Sequence, residues 1–292
     1  VIVRVRESRV GVLEPFHIIH RLVATPEDGR RDLVARDPMT DELLSHADGP
    51  VHRLALNRPA RRNALTPPLC RALADEIEAI GDAGDAHAIV LAGAGGHFSA
   101  GLDLHWLRSL GDSPAVADLQ HGLSDFQSAV IAVVRCPIPV VAVLQGTVAG
   151  FGLDLALACD LRVAGAGASL TSAFARMGLV PDGGSTFTLP RLVGLGHAMR
   201  FLMAGETFDA ARAKAVGMVD DVFDDAALEQ EVAGIMAGFA SAAPASLRTI
   251  KRLVRAPELG ALEQVLAAEG AAQVQALQGA EFRRRLEAFA RR

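Results

Sequence analysis

The segment GTVAGFGLDLALACDLRVAG, residues 146–165, runs from small residues into an apolar, helix-like pattern and sets Asp154 just inside it. A carboxylate near a helix start is favoured by the helix dipole; the same group in a pocket can donate or accept a proton. Two glycine-rich loops, HFSAGLDL and VAGFGLDL, each lead into a helical pattern. Glycine and alanine let backbone approach a ligand closely, and the first amides of a helix are unpaired donors with partial positive charge. Two such amides converging on one oxygen would stabilise negative charge developing on a carbonyl. Glycine before a helix is also ordinary turn chemistry, so the spacing leaves both readings open.

Other chemistries fit the sequence less well. The loop GAGGHFSAG follows a strand pattern, but in the G-x-G-x-x-G register from Gly93 and Gly95 the last position is Phe98, so no dinucleotide fingerprint is present. Ser99 does not sit in G-x-S-x-G, which argues against a hydrolase nucleophile elbow. His17 and His20 are three apart without further ligands nearby, and no metal is assigned. Cys70, Cys136 and Cys159 are odd in number and lack C-x-x-C spacing, which fits a reducing compartment.

The balance of 29 basic and 34 acidic residues, net −5, gives no basic excess for binding nucleic acid. No uncharged run reaches the roughly 20 residues needed to span a bilayer, and VIVRVRESRVGVL is too charged for a signal peptide. A cytoplasmic protein without nucleic-acid or membrane partners is expected. Val1 is an unusual first residue and Met39 would make an ordinary start, so residues 1–38 read either as an extension or as sequence not natively translated.

The elements that must position the two loops alternate. VHRLAL reads as a strand before PPLCRALADEIEAIGD, an amphipathic helix; AIVLAG and IPVVAVLQG each lead through a glycine-rich loop into a helix. Strand–loop–helix units imply an α/β fold with largely parallel pairing. After about residue 223 the strands cease, and AALEQEVAGIMAGFA, PASLRTIKRLV, ALEQVLAAEGAAQVQAL and EFRRRLEAFARR read as helices with apolar faces.

Taken together, LNRPARRNALT, GGHFSAGLDL, GTVAGFGLDLALACDLRVA and GLVPDGGSTFTLPRLVG, in this order and spacing, closely resemble the enoyl-CoA hydratase/isomerase (crotonase) superfamily. The match runs from about residue 50 through the tail segments LRTIKRLV and EFRRRLEAF. The resemblance implies an N-terminal extension over residues 1–45, a spiral core of ββα units over residues 46–223, and a helical oligomerisation region over residues 224–292. It also implies an acyl-CoA thioester substrate, with CoA as part of the substrate and no separate cofactor, and a homotrimer or dimer of trimers. Carried over by motif position, the oxyanion donors are the backbone amides of Leu102 and Phe151. Arg61, Arg62, Ala64, Ala100 and Asp103 fall in CoA-contacting segments, where guanidinium groups suit phosphate oxygens. Phe98, Trp106 and Phe174 are assigned to the acyl pocket. Relatives usually have glycine at the Phe151 position, so the ring narrows the pocket or shifts the amide.

Typical hydratases of this superfamily carry two glutamates, at positions that here are Asp154 and Phe174. Eight residues beyond Phe174, Asp182 matches the catalytic carboxylate of enoyl-CoA and dienoyl-CoA isomerases, and FARMGLVPDGG looks especially like the epoxyphenylacetyl-CoA isomerase branch. Isomerisation needs one base that takes a proton from one carbon and returns it to another. The expectation is therefore an isomerase using Asp182, with Asp154 as a second acid-base group or a helix-stabilising residue. The alternatives are a hydratase or lyase using both aspartates, and a non-catalytic acyl-CoA-binding protein. As a turn or helix cap, Asp182 in PDGG would need no catalytic role.

The apolar faces of the helical tail exceed what a free tail should expose. Sedimentation at micromolar concentration is expected to return a trimer or hexamer; a monomer would contradict that expectation.

Overall fold

The computed structural model describes residues 3–5, 42–111 and 114–290, so most of the expected extension, with His17 and His20, lies outside the described residues. The strands are β1 (Val3–Val5), β2 (Leu43–Asp48), β3 (Val51–Leu56), β4 (Ala88–Gly93), β5 (Val140–Leu144), β6 (Thr147–Ala149), β7 (Leu161–Gly165), β8 (Ser169–Thr171), β9 (Thr207–Asp209) and β10 (Asp221–Phe223). The first helices are α1 (Pro67–Ala83), α2 (Leu104–Ser109), α3 (Val116–Arg135), α4 (Phe151–Ala158), α5 (Phe174–Met177) and α6 (Ser185–Val193). Then follow α7 (Leu195–Ala204), α8 (Ala210–Ala215), α9 (Leu228–Ser241), α10 (Pro244–Gln278) and α11 (Ala280–Ala290).

One sheet has the order β1-β2-β3-β4-β5-β7-β10, and a smaller one the order β6-β8-β9. From β3 through β10 the large sheet is parallel; β2 and β3 form an antiparallel hairpin, which begins at Leu43 and so crosses the boundary expected at residue 45. Both faces of these strands are apolar, as a covered parallel sheet requires. Ile89, Leu91, Val140 and Ala142 join the cluster under α1 and α3, while Ala88, Val90, Val141 and Val143 join Leu228, Val232 and Met236 of α9.

Local chemistry sets the helix ends. Thr66 caps α1 by accepting from the Leu69 amide, Pro67 opens its first turn, and Gly84 closes it at φ +86°. On α3 the spacing of Leu119, Leu123, Phe126, Val130 and Val133 makes one buried stripe. The large sheet ends with β10 at Phe223, where the strand patterns of the sequence also stop.

The two tail helices read from PASLRTIKRLV and ALEQVLAAEGAAQVQAL are in fact one 35-residue helix, α10, continuous through Pro257. Proline there removes one helical hydrogen bond, but each half is fixed independently. Upstream, Lys251 Nζ donates to the carbonyls of Val133 (3.1 Å) and Ile138 (2.8 Å) and, with Arg255, pairs with Asp160. Downstream, Leu262 and Leu266 enter the main core. The inner stripe of α10 then continues as Glu269, Gln273 and Leu277, so two polar residues are buried in an otherwise apolar row. The tail is thus part of the wall around the core and not an appendage.

Truncating this row should be costly. Leu266→Ala is expected to lower the unfolding free energy by about 2–5 kcal/mol, as for other buried leucines, read from urea unfolding.

Candidate active site

Two loops meet between the sheets. Ser99 bridges to β6: its amide donates to the Thr147 carbonyl at 3.1 Å and its carbonyl accepts from the Ala149 amide at 2.9 Å. Two residues later the Leu65 amide donates to the Gly101 carbonyl (2.7 Å) and the Asp103 amide to the Leu65 carbonyl (2.8 Å). Between these anchors Gly101, at φ +85°, passes so close to the second loop that a Cβ there would lie 2.6 Å from the Ala149 carbonyl oxygen and 3.2 Å from the Phe151 nitrogen. Only glycine fits that approach.

The amides around this crossing have acceptors: Ala100, Gly101, Asp103, Ala149, Gly150, Leu153 and Asp154 all donate. Among the described residues, the amides of Leu102 and Phe151 have none. Phe151 opens α4, where the first turn has no helical acceptor to offer. Two neighbouring free donors beside a cavity can hold an oxygen that gains negative charge.

The cavity has a volume of about 180 Å³ and is lined by Leu102, Phe126, Phe151, Phe174, Met177 and Leu179, with Asp182 as its one ionisable side chain and Gln273 beside it. Asp182 is 6% exposed; its Oδ2 accepts from Gln273 Nε2 at 3.1 Å, and its Oδ1 is buried without a hydrogen-bond partner. Burial pushes its pKa up to about 7, the Gln273 N–H opposes that rise, and the Glu269 carboxylate adds to it. Near neutral pH such a group exists in both protonation states, as a proton shuttle requires.

Asp154 lies elsewhere. It is 1% exposed on α4, is not among the residues lining the cavity, and its Oδ2 accepts from the Gly183 amide at 3.1 Å. A Cβ on Gly183 would come within 2.6 Å of Asp154 Cβ and 2.9 Å of the Phe151 ring, so Gly183 closes over the carboxylate. Burial raises the Asp154 pKa well above the usual carboxylate range, and the charges of Glu269 and Asp182 raise it further. Ser185 Oγ favours the charged form from close by without meeting hydrogen-bond geometry. Glu269, from α10, accepts from the Gly184 amide (2.6 Å), the Thr186 amide (3.0 Å) and Thr186 Oγ1 (2.5 Å), capping α6 from outside it. Its pKa is also raised, by burial against those donors.

The remaining expected residues separate. Ala100 lines the cavity. Arg61 and Arg62 are exposed, and Arg62 and Asn63 both have left-handed backbone at φ 49° and 55°. That conformation is held by the buried Asn63 side chain, which donates to the Ala94 and His97 carbonyls and accepts from the Arg58 amide. Ala100 donates to the Arg62 carbonyl at 2.8 Å, so the arginine loop is tied to the cavity rim. The Ala64 carbonyl accepts from Arg58.

Asp103 is consumed structurally: Oδ1 caps α2 through the His105 amide at 2.8 Å and Oδ2 pairs with Arg58 at 2.8 Å. Despite burial, these partners hold its pKa low. Phe98 is not among the residues that line this cavity. It is 0% exposed and packs in the main core, because the Ser99 bridge turns the preceding side chain inward. Trp106 stands behind the wall, its ring edge-on to Phe126 at 5.8 Å, and does not line the cavity. Phe126, Glu269 and Gln273 were not found from the sequence. The signal available for the last two was polar spacing within the apolar stripe of α10. Among the described residues no cluster of His, Cys, Asp or Glu is arranged to hold a metal, and no helix is long and apolar enough to cross a membrane.

Comparison with known proteins decides the family. Residues 47–292 match the family model described as Enoyl-CoA hydratase/isomerase. The chain belongs to this family. Similar relatives include a 1,2-epoxyphenylacetyl-CoA isomerase of Escherichia coli, 31% identical over 86% of this chain and 96% of the relative. A probable enoyl-CoA hydratase of Mycobacterium tuberculosis is 36% identical over 85% of this chain and 97% of its own. The solved enoyl-CoA hydratase of Bacillus halodurans superposes with TM-score 0.80 at 25% identity, covering 85% of this chain and 99% of that one. The crotonase-like α/β fold is therefore shared, and family members of both reaction types are similar to this chain.

The buried carboxylates tie stability to pH. A native pKa raised above the unfolded one means that the native state holds the proton more tightly, so the contribution of Asp154 is present in acid and is lost as pH rises through its native pKa. Asp154→Asn is expected to match or exceed the wild type in unfolding free energy at pH 8, with the advantage vanishing near pH 4. Urea unfolding at the two pH values checks this.

Proposed function

We propose that this family member is an acyl-CoA double-bond (or ring) isomerase, working on a double bond by a single-carboxylate proton shuttle. The observation carrying the reading is that Asp182 is the one ionisable side chain lining the cavity that also borders the free Leu102 and Phe151 amides. The thioester oxygen accepts from those two amides. Asp182 takes a proton from the carbon next to the unsaturated system, the electron pair moves into a dienolate whose oxygen the amides hold, and the same proton returns to a different carbon. The reaction is redox-neutral and asks for no cofactor beyond the CoA of the substrate. Arg61 and Arg62, exposed on a loop tied to the rim, meet the CoA phosphates. The active species is a homotrimer or dimer of trimers.

A hydratase reading has support in the Mycobacterium tuberculosis relative, named a probable enoyl-CoA hydratase, but it asks Asp154 to share water with Asp182, and Asp154 lies outside the cavity lining. A non-catalytic acyl-CoA binder would bind without exchange of substrate protons.

The test is solvent-deuterium exchange at the α and γ carbons of an enoyl-CoA, followed with hydration on the same panel. Asp182→Asn keeps the shape and is expected to lower exchange and isomerisation by about 10²- to 10⁴-fold, with binding of a saturated acyl-CoA little changed. Asp154→Asn is expected to cost under about tenfold; an equal loss in both variants would favour the paired-carboxylate mechanism. Exchange undiminished in Asp182→Asn would remove Asp182 from the chemistry.

A further inference from the structure

Gln273 lies on α10, far along the chain from the loop it serves, and is 1% exposed. Both ends of its amide are committed. Oε1 accepts from the Val180 amide at 3.1 Å, and Nε2 donates to Asp182 Oδ2 at 3.1 Å. Because the Val180 N–H can only donate, the end facing it must be the carbonyl and the end facing Asp182 must be the NH2 group. The two Asp182 oxygens are thereby made unequal: Oδ2 is anchored, and Oδ1 is buried and unpartnered.

The rest of the loop is already held. Gln127 Nε2 donates to the Asp182 carbonyl at 3.0 Å, and Glu269, one turn before Gln273 on the same helix, holds the Gly184 and Thr186 amides. The freedom left to Asp182 is rotation of its carboxylate, and Gln273 is the residue that stops it. We propose that Gln273 is a positioning residue that fixes Asp182 Oδ1 as the proton-transferring oxygen, which rests on the reading of Asp182 as the shuttle. The residue type follows from its surroundings. The titratable groups facing this site are acidic or neutral: Asp154 from α4, Glu269 from α10 and Cys70 from α1. A glutamate at 273 would add a further like charge, and an apolar side chain would leave the Val180 amide and Oδ2 both unpaired.

The experiment compares wild type with Gln273→Met, Gln273→Glu, Asp182→Asn and the Asp182→Asn/Gln273→Met double variant, reading kcat, KM and their pH dependence for double-bond migration. Gln273→Met is expected to lower kcat about 10- to 100-fold with KM changed less than about threefold. It should also move the acidic limb of kcat up by about one pH unit, because a donor that favours ionised Asp182 is lost. Gln273→Glu should move that limb further in the same direction and supplies the reading if the Met variant folds poorly. The double variant should be no slower than Asp182→Asn alone, since both act through one carboxylate. An unmoved limb in both single variants, or a fully additive double variant, overturns the assignment of Gln273 while leaving Asp182 in place. Wild-type exchange in Asp182→Asn overturns the shuttle itself, a different result from either.

Discussion

The site depends on backbone passing within touching distance of backbone. Where Gly101 crosses the Ala149–Phe151 loop there is no room for a side chain, and the hydrogen bonds on either side use the neighbouring amides. Among the donors left over are the Leu102 and Phe151 amides, which border the cavity and which secondary structure does not consume. Buried donors without acceptors cost free energy, so this arrangement persists only because the surrounding framework over-determines it. β6 is tied to Ser99, Leu65 to both sides of Leu102, and α4 begins at Phe151. The parallel sheet and its covering helices matter to function because they hold this crossing in register.

A second constraint is the gathering of Asp154, Asp182 and Glu269 in one buried region, where all three have raised pKa values. For Asp182 burial is the largest influence on proton affinity, opposed by the Gln273 N–H and reinforced by the Glu269 carboxylate. The three acids are satisfied differently. Glu269 takes two amides and a hydroxyl, whereas Asp154 takes one amide and Asp182 one side-chain N–H, each on one oxygen. Of the two less satisfied acids, Asp182 is the one that lines the cavity.

How far this was readable from the chain differs from residue to residue. The loops were legible because glycine spacing before a helix has a local cause. The tetrapeptide GLDL occurs in both loops, yet its aspartates have opposite fates that sequence alone could not separate. α2 starts immediately after Asp103, which makes it a cap, whereas α4 starts three residues before Asp154, which carries it into the helix interior. Phe98 lies in the core and outside the cavity lining, a distinction its place in the loop did not show. Gln273 and Glu269 were missed because their partners lie 91 and up to 85 positions away, and the trace left in sequence is only a polar interruption of an apolar helical stripe. The join of two tail helices through Pro257 was hidden for a similar reason, since proline is a helix breaker unless distant contacts hold both halves.

The aromatic wall joins these points. Phe126 and Phe151 pack with centroids 5.0 Å apart, and Phe174, which the motif resemblance sets at the second-glutamate position of typical hydratases, lines the same cavity. Under the isomerase reading this wall acts twice. It keeps Asp182 away from water and so raises its affinity for a proton. With the thioester oxygen on the Leu102 and Phe151 amides, it also leaves an attacking water short of the two to four polar partners that an ordered water ordinarily needs, because the remaining cavity side chains that could supply them are Asp182 and a Gln273 amide already committed at both ends. A single change of residue type at position 174 therefore bears on both the strength of the base and the choice between returning a proton and adding water.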